Sequence, residues 1–109
     1  MNTSVPIACN PGALSASERE RRSALAGRVR EHVVVSTETE TGFRLQLPAD
    51  DASCAEVLEF ITLERRCCPF LELRLVFSPG GGPVYFDLGG GPEMKAFLAA
   101  SGLLGCGGQ

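Results

Sequence analysis

Along the chain, apolar residues change their spacing four times, and each change marks an element. Ser15-Ala16-Ser17-Glu18 has capping-box spacing and predicts a helix from about Ala16 to Arg30. Its apolar positions are sparse: Leu25, Val29 and several alanines stand against Glu18, Arg19, Glu20, Arg21, Arg22, Arg28 and Arg30. That pattern predicts a surface helix with a narrow buried stripe, its mixed charges forming a solvated face with local ion pairs. Val33-Val34-Val35 is β-branched and predicts a strand; Phe43, Leu45 and Leu47 alternate with Arg44 and Gln46 and predict its partner. The polar stretch from Ser36 to Gly42 then reads as the hairpin between them.

Asp50, Asp51 and Ser53 offer caps for a second helix running to about Cys67, with Cys54, Val57, Leu58 and Ile61 on one face and Phe60 and Leu63 widening it. After Pro69 the period drops to two, placing Leu71, Leu73, Leu75 and Phe77 on one face of a strand. Ser78-Pro79-Gly80-Gly81-Gly82-Pro83 is turn chemistry, and Val84, Phe86 and Leu88 return as the partner strand. Pro92 opens a last helix with Met94, Phe97 and Leu98 inward. The order is a helix followed by ββα and ββα, an α+β two-layer sandwich with one mostly antiparallel four-stranded sheet. Residues 1–14 read as an irregular arm and residues 102–109 as a flexible glycine-rich tail of a single domain spanning 1–109.

Composition narrows the function. With 109 residues, 44% hydrophobic and 21% charged, the chain is large enough to bury a core without disulfides or metal. The net charge of −3 argues against nucleic acid or an anionic membrane as the main partner. No apolar run approaches the roughly 20 residues that span a bilayer, and the first residues lack a basic region and long apolar stretch, so a cytoplasmic location is expected. The oligomeric state stays open, a homodimer included.

Five cysteines are present, an odd number, and in a reducing compartment most of them are expected to be thiols. Cys67 and Cys68 are adjacent, in Glu64-Arg65-Arg66-Cys67-Cys68-Pro69-Phe70. Adjacency alone is a chance event in roughly one such chain in five. Position carries more weight, because Pro69 biases Cys68 away from helical geometry and ends the helix there. Neighbouring Cα atoms lie about 3.8 Å apart, short of ordinary disulfide geometry, so the pair offers its thiols to a soft ion, an oxidant or a third cysteine. The helix C-terminus disfavours thiolates, whereas Arg65 and Arg66 favour them if their guanidinium groups come within about 4–6 Å. Glu64, three and four residues before the cysteines, shares their face as an acid or base or as one half of a surface Glu–Arg pair.

A soft ion such as Hg(II), Cu(I), As(III) or Zn(II) takes two to four sulfurs, and Cys9 on the arm is the candidate third ligand. Sulfurs about 3.5–4.5 Å apart would mark a shared ion. Cys54 reads as a packing residue and Cys106 as a spare thiol. C-x-x-C pairs of zinc-ribbon spacing are absent, and no organic cofactor is expected. Gly80-Gly81-Gly82 and Gly89-Gly90-Gly91 fit turns rather than phosphate cradles, since no lysine followed by Ser or Thr accompanies them. His32, the single histidine, reads as a structural or edge residue.

The segment Glu64-Arg65-Arg66-Cys67-Cys68-Pro69-Phe70, with the alternating strand and Pro-Gly-Gly-Gly turn after it and Ile7-Ala8-Cys9 before an arginine-rich helix, resembles a group of small bacterial proteins with an acidic-Arg-x-Cys-Cys-x-Phe motif. The likeness covers roughly Ile7 to Leu98. It implies an association with heavy-metal, notably mercury, resistance loci. The first helix departs from the group in lacking an aromatic residue, and Cys106 has no counterpart in it.

The leading expectation is therefore a non-enzymatic protein that holds a thiophilic metal or metalloid on Cys9, Cys67 and Cys68, tuned by Glu64, Arg65 and Arg66. Two alternatives stand beside it. One is a thiol-disulfide oxidoreductase or thiol transferase acting on small thiols through Cys67, Cys68 and Glu64. The other is a non-catalytic interaction module whose cysteines only fill the core.

Overall fold

In the computed structural model, which describes residues 9–103, helix α1 (Ala16–His32) opens on the expected capping box. The Glu18 amide donates to Ser15 Oγ at 3.2 Å, and the Ser15 amide donates to Glu18 Oε1 at 2.8 Å, which satisfies two backbone donors at the helix start. Arg22, Leu25, Ala26 and Val29 form the buried stripe. Arg22 thus corrects the expectation that the charged run of this helix is solvated; the stripe continues one turn past Leu25 because a carboxylate awaits the guanidinium inside.

Strands β1 (Val35–Glu38) and β2 (Gly42–Leu47) follow. The first lies later than expected. Val33 caps α1, Val34 and Val35 are 61% and 48% exposed, and all four β1 residues face solvent. An edge strand buries little on either face, so its limits are set by pairing with β2 rather than by its own apolar content. The hairpin shortens accordingly, because Ser36, Thr37 and Glu38 belong to β1 and Gly42 to β2.

Helix α2 (Asp51–Cys67) is capped by Asp50, whose carboxylate accepts from the Ser53 amide at 2.9 Å and the Ser53 hydroxyl at 2.8 Å. Its buried face comprises Ser53, Val57, Phe60, Leu63, Glu64 and Cys67. The expected face is rotated: Leu58 is 54% exposed, and Cys54 and Ile61 are half-buried. Phe60 decides the rotation. It is the largest apolar side chain of the helix, fully buried, and meets Phe86 edge-on with ring centroids 6.1 Å apart.

Strands β3 (Glu72–Phe77) and β4 (Val84–Gly89) and helix α3 (Pro92–Ser101) complete the chain. The antiparallel sheet has the order β1-β2-β4-β3, so the two best-buried strands are central. Leu45 and Leu47 on β2 pair with Phe86 and Val84 on β4, and all four are buried. Leu73 and Leu75 continue that face on β3, while Phe77, at the end of an edge strand, is 61% exposed instead of joining it. Gly42 and Gly89 face each other across β2 and β4, where a Cβ on Gly42 would sit 1.9 Å from the Leu88 carbonyl oxygen. The α+β architecture expected from the pattern is what forms. No helix among the described residues is long and apolar enough to cross a membrane. The expected tail beyond Leu103, with Cys106, lies outside the described residues, as does the arm before Cys9.

Candidate metal centre

Three segments meet where α2 ends. Cys67 is the last residue of the helix and Cys68 its C-cap, with φ −124° and ψ 73°. That backbone is the non-helical conformation which the following Pro69 enforces. The Cys68 amide still donates to the Glu64 carbonyl at 2.7 Å, so the thiol of Cys68 departs from a fixed point, and the Leu71 amide returns to the Cys68 carbonyl at 3.2 Å.

The arm closes the site by capping the helix. A helix C-terminus leaves carbonyls without intrahelical partners, and here the Asn10 amide donates to the Cys67 carbonyl at 2.7 Å. The chain then makes a single 3₁₀ turn, Pro11–Ala13. Arg66 donates to the Ala13 carbonyl at 3.0 Å and to Glu18, and Arg19 donates to the Leu14 carbonyl at 2.8 Å. Leu14 itself is buried in the core. These contacts hold the residue next to Asn10, and Cys9 reaches the pair.

The Cys9 and Cys68 sulfurs are 3.1 Å apart. That is a thiol–thiol contact, well beyond the roughly 2.05 Å of a closed disulfide. All three sulfurs of Cys9, Cys67 and Cys68 lie within 4.8 Å of one another, a grouping that could hold a metal ion. The closest pair is tighter than the 3.5–4.5 Å expected for sulfurs around one ion. Cys68 is fully buried, Cys67 is 4% exposed and Cys9 is half-buried.

Behind the sulfurs runs a buried ion pair. Arg22 Nε donates to Glu64 Oε1 at 2.6 Å, with the two side chains 6% and 1% exposed. The Arg22 guanidinium also lies over the Phe60 ring, 5.4 Å from its centroid. Glu64 Oε2 is buried and finds no hydrogen-bond partner among the described residues. Burial pushes the Glu64 carboxyl above its usual range, and the Arg22 hydrogen bond opposes that push without cancelling it. Burial likewise raises the Cys67 thiol, with Glu64 adding to the effect and Arg22 and the Asn10 amide opposing it.

Sequence reasoning located the thiols and missed the charge beside them. The reading of Glu64 as half of a surface pair is overturned, since its carboxylate is inside and its partner comes from α1. The cation acting on Cys67 is Arg22. Arg65 and Arg66 are exposed, and Arg66 is committed to Glu18 across the surface. One signal pointed to Arg22: it lies three residues before Leu25 and seven before Val29, on the stripe those residues define.

The remaining candidates stay away from the cluster. Cys54, at the other end of α2, is half-buried, and its thiol is raised by burial together with Asp50 and Asp51. His32 ends α1, with Nε2 3.8 Å from Glu56 Oε1. Gly80 and Gly81, at φ 69° and 70°, make the turn between β3 and β4. No family model matches this chain, and no curated protein or solved structure matches it either.

Proposed function

We propose that this chain binds a thiophilic metal or metalloid ion, of the class of Hg(II), Cu(I), As(III) or Zn(II), through Cys9, Cys67 and Cys68. The observation that carries the reading is the convergence of three sulfurs from two segments some 60 residues apart, within 4.8 Å of one another at a mostly buried point. A core-packing role for Cys67 and Cys68 would account for their burial, yet it asks nothing of Cys9, which the arm brings to them. The likeness of the Glu64–Phe70 segment to bacterial proteins associated with mercury resistance agrees with this chemistry. Binding through reduced cysteines suits a reducing compartment such as the cytoplasm.

Binding would be stoichiometric and non-enzymatic. The test is competition between the reduced, anaerobic chain and a chromophoric chelator for Hg(II) or Cu(I), repeated with Cys9→Ser, Cys67→Ser and Cys68→Ser. Each variant should lose affinity by tenfold or more; parent-like binding by all three would refute the site.

A second reading has its own support in the 3.1 Å contact. Cys9 and Cys68 would form a disulfide, releasing two protons and passing two electrons to a small-molecule disulfide, which is reduced to two thiols. Mass mapping after mild oxidation should then find a Cys9–Cys68 crosslink; unchanged thiols would dismiss this reading.

A further inference from the structure

The site's charge and ligand count discriminate among soft ions. Cys67 and Cys68 are buried, and Arg22 and Glu64, also buried, form one ion pair of opposite charges. Both act on the Cys67 sulfur. Arg66 is spent at the surface on Glu18, and Arg65 is exposed. Among the described residues, a complex formed here therefore lies beside a buried ion pair of zero net charge, where an uncompensated charge is costly.

Three thiolates on a divalent ion carry a net charge of −1 and release three protons. Three thiolates on a trivalent metalloid carry none. Arsenite achieves this without ionising the thiols: As(OH)₃ and three R–SH give As(SR)₃ and three waters. Three As–O and three S–H bonds break, three As–S and three O–H bonds form, and arsenic stays at oxidation state +3. Ligand number agrees. Among the described residues the cluster holds three cysteines and no further His, Cys, Asp or Glu, whereas structural zinc takes four ligands. A trivalent arsenic with its lone pair is complete with three.

We infer that the preferred ligand of the Cys9, Cys67 and Cys68 cluster is a trivalent metalloid oxyacid of the arsenite type, selected by a buried site that lies beside an ion pair of zero net charge. The inference rests on the three-thiol binding site proposed above, and its test separates the two. The reduced full-length chain is titrated anaerobically with arsenite and, separately, with Cd(II), each in competition with dithiothreitol, and the complexes are counted by native mass spectrometry.

Arsenite should bind one per chain with three hydrogens displaced. Its affinity relative to dithiothreitol should exceed that of Cd(II) by at least about tenfold. Cys9→Ser should lower arsenite affinity more than tenfold, and Cys54→Ser should leave it unchanged. Glu64→Gln removes the negative charge that faces Arg22 and should shift the ratio toward Cd(II) by about tenfold, while Arg22→Gln should shift it the other way. Opposite shifts in two variants of one ion pair are not what loss of structure produces, and circular dichroism checks that both fold. If Cd(II) occupies the three thiols and arsenite cannot compete, the arsenite assignment falls and the three-thiol site stands. If neither ion binds, both fall. A ratio that Glu64→Gln leaves unmoved overturns the charge argument even where arsenite binds.

Discussion

Arg22→Met removes the cation of the buried pair while keeping an unbranched apolar side chain over Phe60. In the parent, Glu64 Oε1 accepts from Arg22 Nε at 2.6 Å and Glu64 Oε2 finds no hydrogen-bond partner among the described residues, with the carboxylate 1% exposed. The variant strands the whole carboxylate in the core. Breaking a buried ion pair by removing one partner costs about 3–5 kcal/mol. Against a total of roughly 5–15 kcal/mol for a domain, that is a large fraction. At about 4 °C or more per kcal/mol for a chain of this size, the midpoint should fall by roughly 12 °C or more. Arg22→Met/Glu64→Leu removes both charges and should recover most of the loss, because apolar replacement of a whole buried pair is often neutral or better.

The pH dependence follows from the same carboxyl. Burial raises it in the native state, and loss of Arg22 removes the influence that opposes the rise. The carboxyl of the folded variant should thus take up its proton at higher pH than it does in the unfolded chain. Where the folded state binds more protons, stability increases as pH falls, so Arg22→Met should regain stability between pH 7 and pH 5 and the gap to the double variant should narrow. Urea unfolding followed by circular dichroism under reducing conditions measures both. A single-variant loss below about 1 kcal/mol, or a gap equal at the two pH values, would refute the account of the pair.

Gly42→Ala should cost more than about 2 kcal/mol, since its Cβ would collide with the Leu88 backbone, whereas Gly27→Ala, in open space within α1, should gain about 0.5–1 kcal/mol; thermal melts compare them directly. Leu25→Ala empties a fully buried position between α1 and the core and should lose about 2–5 kcal/mol by urea titration. Cys54, its thiol raised by burial with Asp50 and Asp51, should react with iodoacetamide at pH 7.5 more slowly than an unstructured cysteine; Asp51→Asn should speed it, and an ion bound at the three-thiol site should leave it unaffected, all read by mass spectrometry.

Local signals determined where the elements lie. The capping box at Ser15 and Glu18, the Asp50 cap, the alternation through Leu45 and Phe86 and the break at Pro69 each act over a few residues, so they are readable in order along the chain. The helix end that displays Cys67 and Cys68 belongs to this class, because a proline restricts its neighbour whatever the rest of the molecule does. Edge strand β1 was misplaced for the converse reason: its limits are set by its partner, and Val33 and Val34 lend it apolar character without burial.

Tertiary structure decided which way each helix faces and what meets at the end of α2. The α2 periodicity admits a face centred on Leu58 as readily as one on Phe60, and only the position of Phe86 across the layer selects the second. Arg22 and Glu64 are 42 residues apart, and nothing in their spacing reveals that two exposed-looking charges neutralise each other inside. Cys9 likewise depends on a hydrogen bond from Asn10 to a helix-end carbonyl 57 residues later. The sequence alone determined the adjacent thiols. The third sulfur and the buried Arg22–Glu64 pair arise from long-range contacts, whose energies depend on the burial that the folded chain creates.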